Sequence, residues 1–593
     1  MVIDYDNEVT SSNGQKYTAK TAPVILNTGA AGYGSQTNQT AQSTYAADGY
    51  INAACGNRGK QDTVTSSSGN TAYTGDAPSC LVDQKNAARF IKYNILLGNL
   101  PGCVDYFVST GGSGGGAHAA MFAATSNNSD FYDYEIEAGA VGVYKNSDGS
   151  YSTEVTINGK KYNISDGAWG CIAYSAITSL YEGDMTLAFE YYLNKDYSFN
   201  TSYQKKLGEY LSEEYMDYIN EKKLSVKESA VGFDLNNDGD KKDTVKLYIK
   251  RDKKKYPETN GYYGTYLDLY LAEFTQNLQW YVDNLDYADG WTWFGSDGKA
   301  LSDKEVASMT SADKAEAFIE GRYSKSTSGS NDNKMGGGMP GGNAPDMNNS
   351  GSKDMKVGTP NGGTTQSSSS STDSSNYSSY SEMLKAYQAD ISEIQKGDEY
   401  GNNIVSLYNP LNYIGAESTE NPTWTRIVMG ASEGDMSMFA SLNLQIQWLN
   451  SGVDSEIEWQ WDGGHVPSEV FGESLSLYVD EMYGKYVSGA VKISKPAATK
   501  QTKNGSQTSA SGTDISSWVS YKNGKVSFSL KDAAAYRTNG ASKATPGFDV
   551  IDYGQEDYVF GNDSADARHW DVHLLNVLEK HKTALSKLFN SGS

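Results

Sequence analysis

Residues 104–125, VDYFVSTGGSGGGAHAAMFAAT, constrain the fold more than any other stretch of the chain. An apolar run (Val104, Tyr106, Phe107, Val108) stops at Gly111-Gly112-Ser113-Gly114-Gly115, and an alanine-rich, helix-compatible segment begins at Gly116. The pattern predicts strand, tight turn and helix, with Ser113 at the apex of a G-x-S-x-G pentapeptide. A serine lifted onto so sharp a turn has strained backbone angles, and glycines on either side leave room for the helix to cross the strand. The helix start supplies free N–H groups and a positive dipole end where an oxyanion would form. In a chain with 61 glycines a plain Gly/Ser turn would also satisfy the pentapeptide. The strand before it and the helix after it are what mark Ser113 as a candidate nucleophile.

The flanking sequence supplies more strands and helices at a regular spacing. Residues 22–27 (APVILN) predict a buried strand that ends in the glycine-containing loop 28–34, and residues 50–55 predict a second. Residues 81–97 carry Ala87, Phe90, Ile91 and Ile95 at helical spacing, and 169–176 (WGCIAYSA) read as the next core strand. Residues 141–163 read as a surface hairpin around Asn146-Ser147-Asp148-Gly149. Strands alternating with helices imply parallel βαβ units, an α/β fold with helices on both faces of the sheet. Functional loops of such sheets lie at the carboxyl ends of the strands, where Ser113 and the loop after Leu26 would both sit.

The organisation then changes. Residues 1–180 form the first part of the core, and 181–325 are tyrosine-rich, charged and helical, a lid inserted into the sheet. Residues 326–380 are of low complexity and too polar to bury a core. The core resumes over 381–495, with strand candidates at 425–429 and 457–461 around a helix at 438–449. A second polar linker (496–514) leads to a C-terminal segment, 515–593, whose helix at 571–589 is expected to dock on the core or lid.

A serine nucleophile needs a base, and the base needs an acid to orient it. With five histidines the search is short. His118 lies five residues past Ser113 on the same helix and reads as structural; His573 and His581 read as surface-helix positions. His465, in WDGGHVP just past the last strand candidate, is the favoured base, with His569 in reserve. Chain order in these sheets is serine, acid, histidine. The loop GASEGD after the strand at 425–429 offers Glu433 as acid and Asp435 as its competitor. The oxyanion hole should combine the Gly114 N–H with one from residues 29–32, Gly32 being the nominee.

Composition narrows the partners. A net charge of −24 argues against nucleic acid and anionic membranes, and no apolar stretch is long enough to span a bilayer. Cys55, Cys80, Cys103 and Cys171 show no CxxC spacing, which argues against a zinc or iron–sulfur site. In the lid, Asp234, Asn236, Asp238, Asp240 and Asp243 resemble a calcium loop: oxygens at alternating positions with glycine at the sixth. Val245 stands where an EF-hand has its bidentate glutamate, so Asp243 would close the shell; an acidic, solvated turn fits the same residues. Calcium, as a structural ion, is the one cofactor expected. The Asn/Ser/Gly/Thr/Tyr-rich composition and the long linkers suit an exported protein, extracellular or on the cell surface, although residues 1–14 are not a signal peptide.

Taken together the motifs resemble the bacterial subtype B tannase and feruloyl-esterase-like group of α/β-hydrolases. The matching stretches are APVILNTGAAGY near 22–33, INAACGNRGKQ at 51–61, the serine turn with its GGAH continuation, CIAYSAITSLYEGDMTLAFEY at 171–191, NPLNYIG at 409–415, RIVMGASEGDMS at 426–437 and DGGHVPSE at 462–469. The resemblance implies an α/β-hydrolase fold with a large helical lid. It makes Ser113 the nucleophile, Glu433 the acid, His465 the base and Asp435 a contact to a substrate hydroxyl. Glutamate stands where tannases carry aspartate, and the lysine and glutamate with which tannases grip galloyl hydroxyls have no traced counterpart in the lid. The expectation is a secreted serine esterase needing no catalytic cofactor, acting on a small plant-derived phenolic or sugar ester of galloyl or feruloyl type. The alternatives are an inactive surface binding protein on the same fold and a serine peptidase.

Overall fold

Six short apolar segments form one parallel sheet: β1 (Val24–Asn27), β2 (Ile51–Ala54), β3 (Phe107–Gly112), β4 (Gly170–Tyr174), β5 (Trp424–Gly430) and β6 (Asp454–Gln460). Their order across the sheet is β6-β5-β4-β3-β1-β2, with every neighbouring pair parallel. The computed structural model describes residues 4–589 apart from 38–42, 60–61, 70, 76, 200, 286–289, 326–376, 435, 462, 467–473, 490–507 and 541–570.

The strands β1, β3, β4 and β5 are buried on both faces, as all-parallel sheets require. Alternation assigns their side chains to two cores. Val24, Leu26, Phe107, Cys171, Ala173, Ile427 and Met429 face one; Ile25, Val108, Ile172, Tyr174, Trp424 and Val428 face the other. The first core is the larger. It is filled from α1 (Ser79–Leu96), α2 (Gly114–Ala124) and the helices α3 (Gly183–Leu193), α4 (Ser202–Lys222), α5 (Thr265–Asp283), α6 (Tyr380–Ile394) and α7 (Met438–Asn450). The second core is closed by α8 (Ser474–Tyr483), with Leu475, Val479 and Met482 packed beside Tyr17, Tyr45 and Tyr50. Asp480 on α8 is buried and accepts hydrogen bonds from the Tyr17 and Tyr50 hydroxyls at 2.6 Å, which ties the N-terminal segment to this face.

The chain enters the sheet at β1, steps outward to β2, then returns to place β3 on the other side of β1. That reversal is a topological switch point, so a crevice opens at the carboxyl ends of β1 and β3. Ser113 follows β3 directly, the acid loop follows β5 and the histidine loop follows β6. This is the α/β-hydrolase fold.

Several sequence-based bounds shift for physical reasons. β3 runs on to Gly112 because Gly111 and Gly112 pair with Ala173 and Tyr174 of β4, and α2 starts at Gly114 rather than Gly116. Ser113 alone therefore separates strand from helix. The expected hairpin at 141–163 is two: Tyr144–Lys145 pairs with Tyr151–Ser152, and Glu154–Ile157 with Lys160–Asn163. In the C-terminal segment, α9 (Leu530–Ala535) comes first, and the helix expected over 571–589 divides at His581 into α10 (Val572–Lys580) and α11 (Lys582–Leu585). His573 and His581 are not free surface positions: His573 meets Tyr181 and Tyr218 edge-on, and His581 stacks on Tyr210 at 3.6 Å. The four cysteines are free thiols. Among the described residues no helix is long and apolar enough to cross a membrane.

Candidate active site

The turn after β3 holds Ser113 at φ 59°, ψ −125°, a conformation that costs a non-glycine residue on the order of 1–3 kcal/mol. The surrounding backbone fixes it there. The Ser113 N–H donates to the Tyr174 carbonyl at 3.0 Å, and the Ser113 carbonyl accepts from Ala117 at 2.9 Å. Both outer glycines of the pentapeptide are needed for closeness: a Cβ on Gly115 would lie 1.7 Å from the Gly29 carbonyl oxygen, and one on Gly111 would lie 2.4 Å from that of Gly115. The small side chains of α2 let the whole helix lie buried against the sheet.

Three residues far apart in sequence meet at this turn. His465 Nε2 lies 2.8 Å from Ser113 Oγ, and His465 Nδ1 lies 2.9 Å and 3.2 Å from the two carboxylate oxygens of Glu433. Burial is graded along this line: Glu433 is wholly enclosed, whereas the His465 side chain is 32% exposed. The acid is shielded from water, which strengthens its hold on the imidazole, while the serine end stays open to a ligand. With Nδ1–H donating to Glu433, Nε2 is left as the acceptor for the serine O–H, the tautomer a general base needs.

Local strain concentrates around this line. Ala30, Tyr33, Ser113, Ser175 and Val466 all have φ between 41° and 59°. Val466 is β-branched and pays for that backbone with a hydrogen bond from its N–H to Ser175 Oγ at 2.9 Å, which fixes the residue after the histidine to the end of β4. Ser175 was not among the sequence candidates, although its place at a strand's carboxyl end was a signal for it.

The loop of residues 29–33 wraps over the start of α2. A Cβ on Gly114 would lie 2.6 Å from the Ala30 carbonyl oxygen and 3.2 Å from the Gly32 nitrogen, so the Gly32 and Gly114 backbones are in contact. The neighbouring Tyr33 N–H is engaged with the Ala30 carbonyl at 2.8 Å. His118 is buried in the same helix, with Nδ1 2.8 Å from the Gly114 carbonyl and Nε2 hydrogen-bonded to the Tyr408 hydroxyl. Burial pushes its imidazole down to about 4, against a weaker opposing effect of the Gly114 carbonyl, so it stays neutral and structural.

Other sequence candidates fall elsewhere. Asp435 and His569 lie outside the described residues. In the loop of Asp234, Asn236, Asp238, Asp240 and Asp243, the side-chain oxygens turn onto the loop itself. Asp234 accepts from the Gly239 N–H at 2.9 Å, Asp238 from Asp240 at 3.0 Å, and Asp243 from the Asn236 amide at 2.7 Å. Among the described residues no group of three or more His, Cys, Asp or Glu side chains is gathered to hold a metal. In residues 181–325, Tyr215, Tyr266 and Tyr270 are buried against Phe439, so these rings pack the core rather than line an opening.

Comparison with solved structures returns tannases. The chain is similar to a tannase from Lactobacillus plantarum (TM-score 0.47, 17% identity, 81% of this chain and 88% of that one). It is also similar to a Fusobacterium nucleatum tannase (0.46, 19%, 78% and 86%) and to a tannin acyl hydrolase in complex with ethyl gallate (0.46, 18%, 80% and 87%). No protein-family model and no curated protein matches the chain.

Proposed function

We propose that this protein is a serine carboxylic-ester hydrolase that works through an acyl-enzyme. The observation that carries the reading is the unbroken line from Glu433 through His465 to Ser113, at 2.9 Å and 2.8 Å, on a strained turn between a parallel strand and a helix. His465 Nε2 takes the Ser113 proton as Oγ attacks the ester carbonyl. The tetrahedral oxyanion forms beside the Gly114 N–H, with Gly32 as the second donor, and the buried Glu433 carboxylate stabilises the imidazolium. His465 then gives its proton to the leaving alkoxide. Water, deprotonated by the same nitrogen, attacks the acyl-enzyme and releases the acid.

In this reading the acyl group is a phenolic acid of galloyl or feruloyl type, carried on a small plant-derived ester, and the enzyme is extracellular or at the cell surface. The support for the acyl group is the sequence resemblance in the loops that surround Ser113, Glu433 and His465, including Asp435 as a contact to a phenolic hydroxyl. Hydrolysis of methyl gallate, methyl ferulate and 4-nitrophenyl acetate by wild type and Ser113→Ala tests both parts. Turnover that needs Ser113 supports the esterase; cleavage of acetate alone removes the phenolic assignment, and cleavage of none removes the esterase.

A further inference from the structure

We propose that Arg537, carried by the C-terminal segment, is a positioning residue that sets the backbone of Glu433 and so aims its carboxylate at His465. The inference rests on the reading of Ser113, His465 and Glu433 as a catalytic triad. Glu433 lies in the irregular stretch between β5 and α7, not on a helix or strand. A glutamate has one more rotatable bond than an aspartate, so its carboxylate is held in place only if its backbone is.

The structure supplies that hold from a residue more than a hundred positions away. The Arg537 guanidinium is wholly buried. It donates to the Ala431 carbonyl at 2.6 Å, to that of Glu433 at 2.8 Å and to that of Met436 at 3.4 Å. Three carbonyls of one loop thus converge on one planar fork of donors, a pattern that an ammonium group cannot reproduce. Glu190 of α3 completes the site: its carboxylate accepts from Arg537 Nε at 2.9 Å and from the Met438 N–H at 3.4 Å. The charge is therefore paired, and the same carboxylate links the guanidinium to the first residue of α7.

Neighbours on the same segment grip the same region. The Tyr536 hydroxyl lies 3.0 Å from Ser432 Oγ, and the rings of Tyr536 and Phe528 pack on Trp461, the residue after β6. The segment thus touches both the loop that carries the acid and the root of the loop that carries the histidine. A purely structural plug would have no need to satisfy three carbonyls flanking one carboxylate, none of which belongs to a regular element.

Arg537→Lys, Arg537→Ala and, as a stability control, Thr538→Ala test the proposal. Thr538 Oγ1 accepts from the Asn194 amide at 2.7 Å and donates to the Ala534 carbonyl at 2.9 Å, hydrogen bonds that do not involve the acid loop. Turnover of an ester that wild type cleaves, melting temperature and the low-field proton resonance of the His465–Glu433 hydrogen bond are measured for each. Expected are a kcat about 10²-fold lower in both Arg537 variants with KM within about twofold, an altered or lost resonance, and recovery of part of the Arg537→Ala activity by added guanidinium. Thr538→Ala should lower the melting temperature while keeping kcat and the resonance. Where Arg537→Ala does not fold, Arg537→Lys decides. A melting temperature that falls with kcat and the resonance unchanged overturns the positioning role. A wild-type protein that cleaves no ester overturns the proposed function instead, and the resonance alone then decides whether Arg537 orients the pair.

Discussion

Shortening Glu433 by one methylene isolates what the carboxylate does. In Glu433→Asp the charge and the chemical group are kept, and only the reach changes. The backbone cannot follow, because the carbonyls of residues 431, 433 and 436 are fixed to Arg537. One carbon–carbon bond of about 1.5 Å then moves the nearest oxygen from 2.9 Å to about 4 Å from His465 Nδ1, beyond hydrogen-bond range. Hydrogen bonds to charged groups contribute about 1.5–3 kcal/mol. At about 1.4 kcal/mol per factor of ten, kcat should fall roughly 10- to 10²-fold. KM should stay near the wild-type value, since this carboxylate is wholly enclosed and only the imidazole it holds is open to a ligand. Steady-state kinetics on a soluble phenolic ester, with the melting temperature as a check on folding, measures both. A variant with wild-type kcat, or one in which KM rises and kcat does not move, would refute Glu433 as the acid that orients His465.

Ser175→Ala removes the acceptor for the Val466 N–H and should lower kcat about fivefold, the equivalent of one ordinary hydrogen bond of about 1 kcal/mol; unchanged kinetics would mean that the strained histidine loop holds without it. His118→Gln should flatten the acid limb of stability. The folded-state value near 4 lies below the ordinary 6.5, so the unfolded chain binds more protons between them. Stability from this group is therefore full above 6.5 and lost as pH falls toward 4, a change on the order of 3 kcal/mol. Urea unfolding of both proteins across that range should show the wild type losing more, and equal slopes would contradict the buried neutral imidazole. Glu273 is buried, and burial raises its carboxyl from 4.5 to about 8 against the opposing effect of its Gln445 hydrogen bond. The folded protein therefore keeps that proton while the unfolded chain loses it. Glu273→Gln should gain stability relative to wild type as pH rises from 4.5 to 8, read by the same unfolding series.

What could be read from sequence divides by the range of the interaction. The strand–turn–helix at Ser113 is local, so residues within one short window carried its whole signal, and the parallel sheet followed from the alternation of such windows. The placement of Ser113, Glu433 and His465 after β3, β5 and β6, all at the carboxyl edge of the sheet, follows from chain order, which is why three distant residues could be named together. Ser175 was harder, since its role depends on a strained backbone at Val466 that no propensity scale marks. Arg537 was out of reach. It lies in a segment joined to the core through a polar linker, and its only signature is the meeting of three carbonyls that belong to another part of the chain. Residues 181–325 show a related limit: their richness in tyrosine and charge is plain in the sequence, but not that Tyr215, Tyr266 and Tyr270 are consumed by the core.

The most direct test is covalent. A fluorophosphonate reacts only with a serine whose proton can be taken by an adjacent base, and the modified peptide can be identified by mass spectrometry. A single adduct on Ser113 is expected, absent in Ser113→Ala and formed far more slowly in His465→Ala. No adduct on Ser113, or one formed at the same rate without His465, would contradict the catalytic triad.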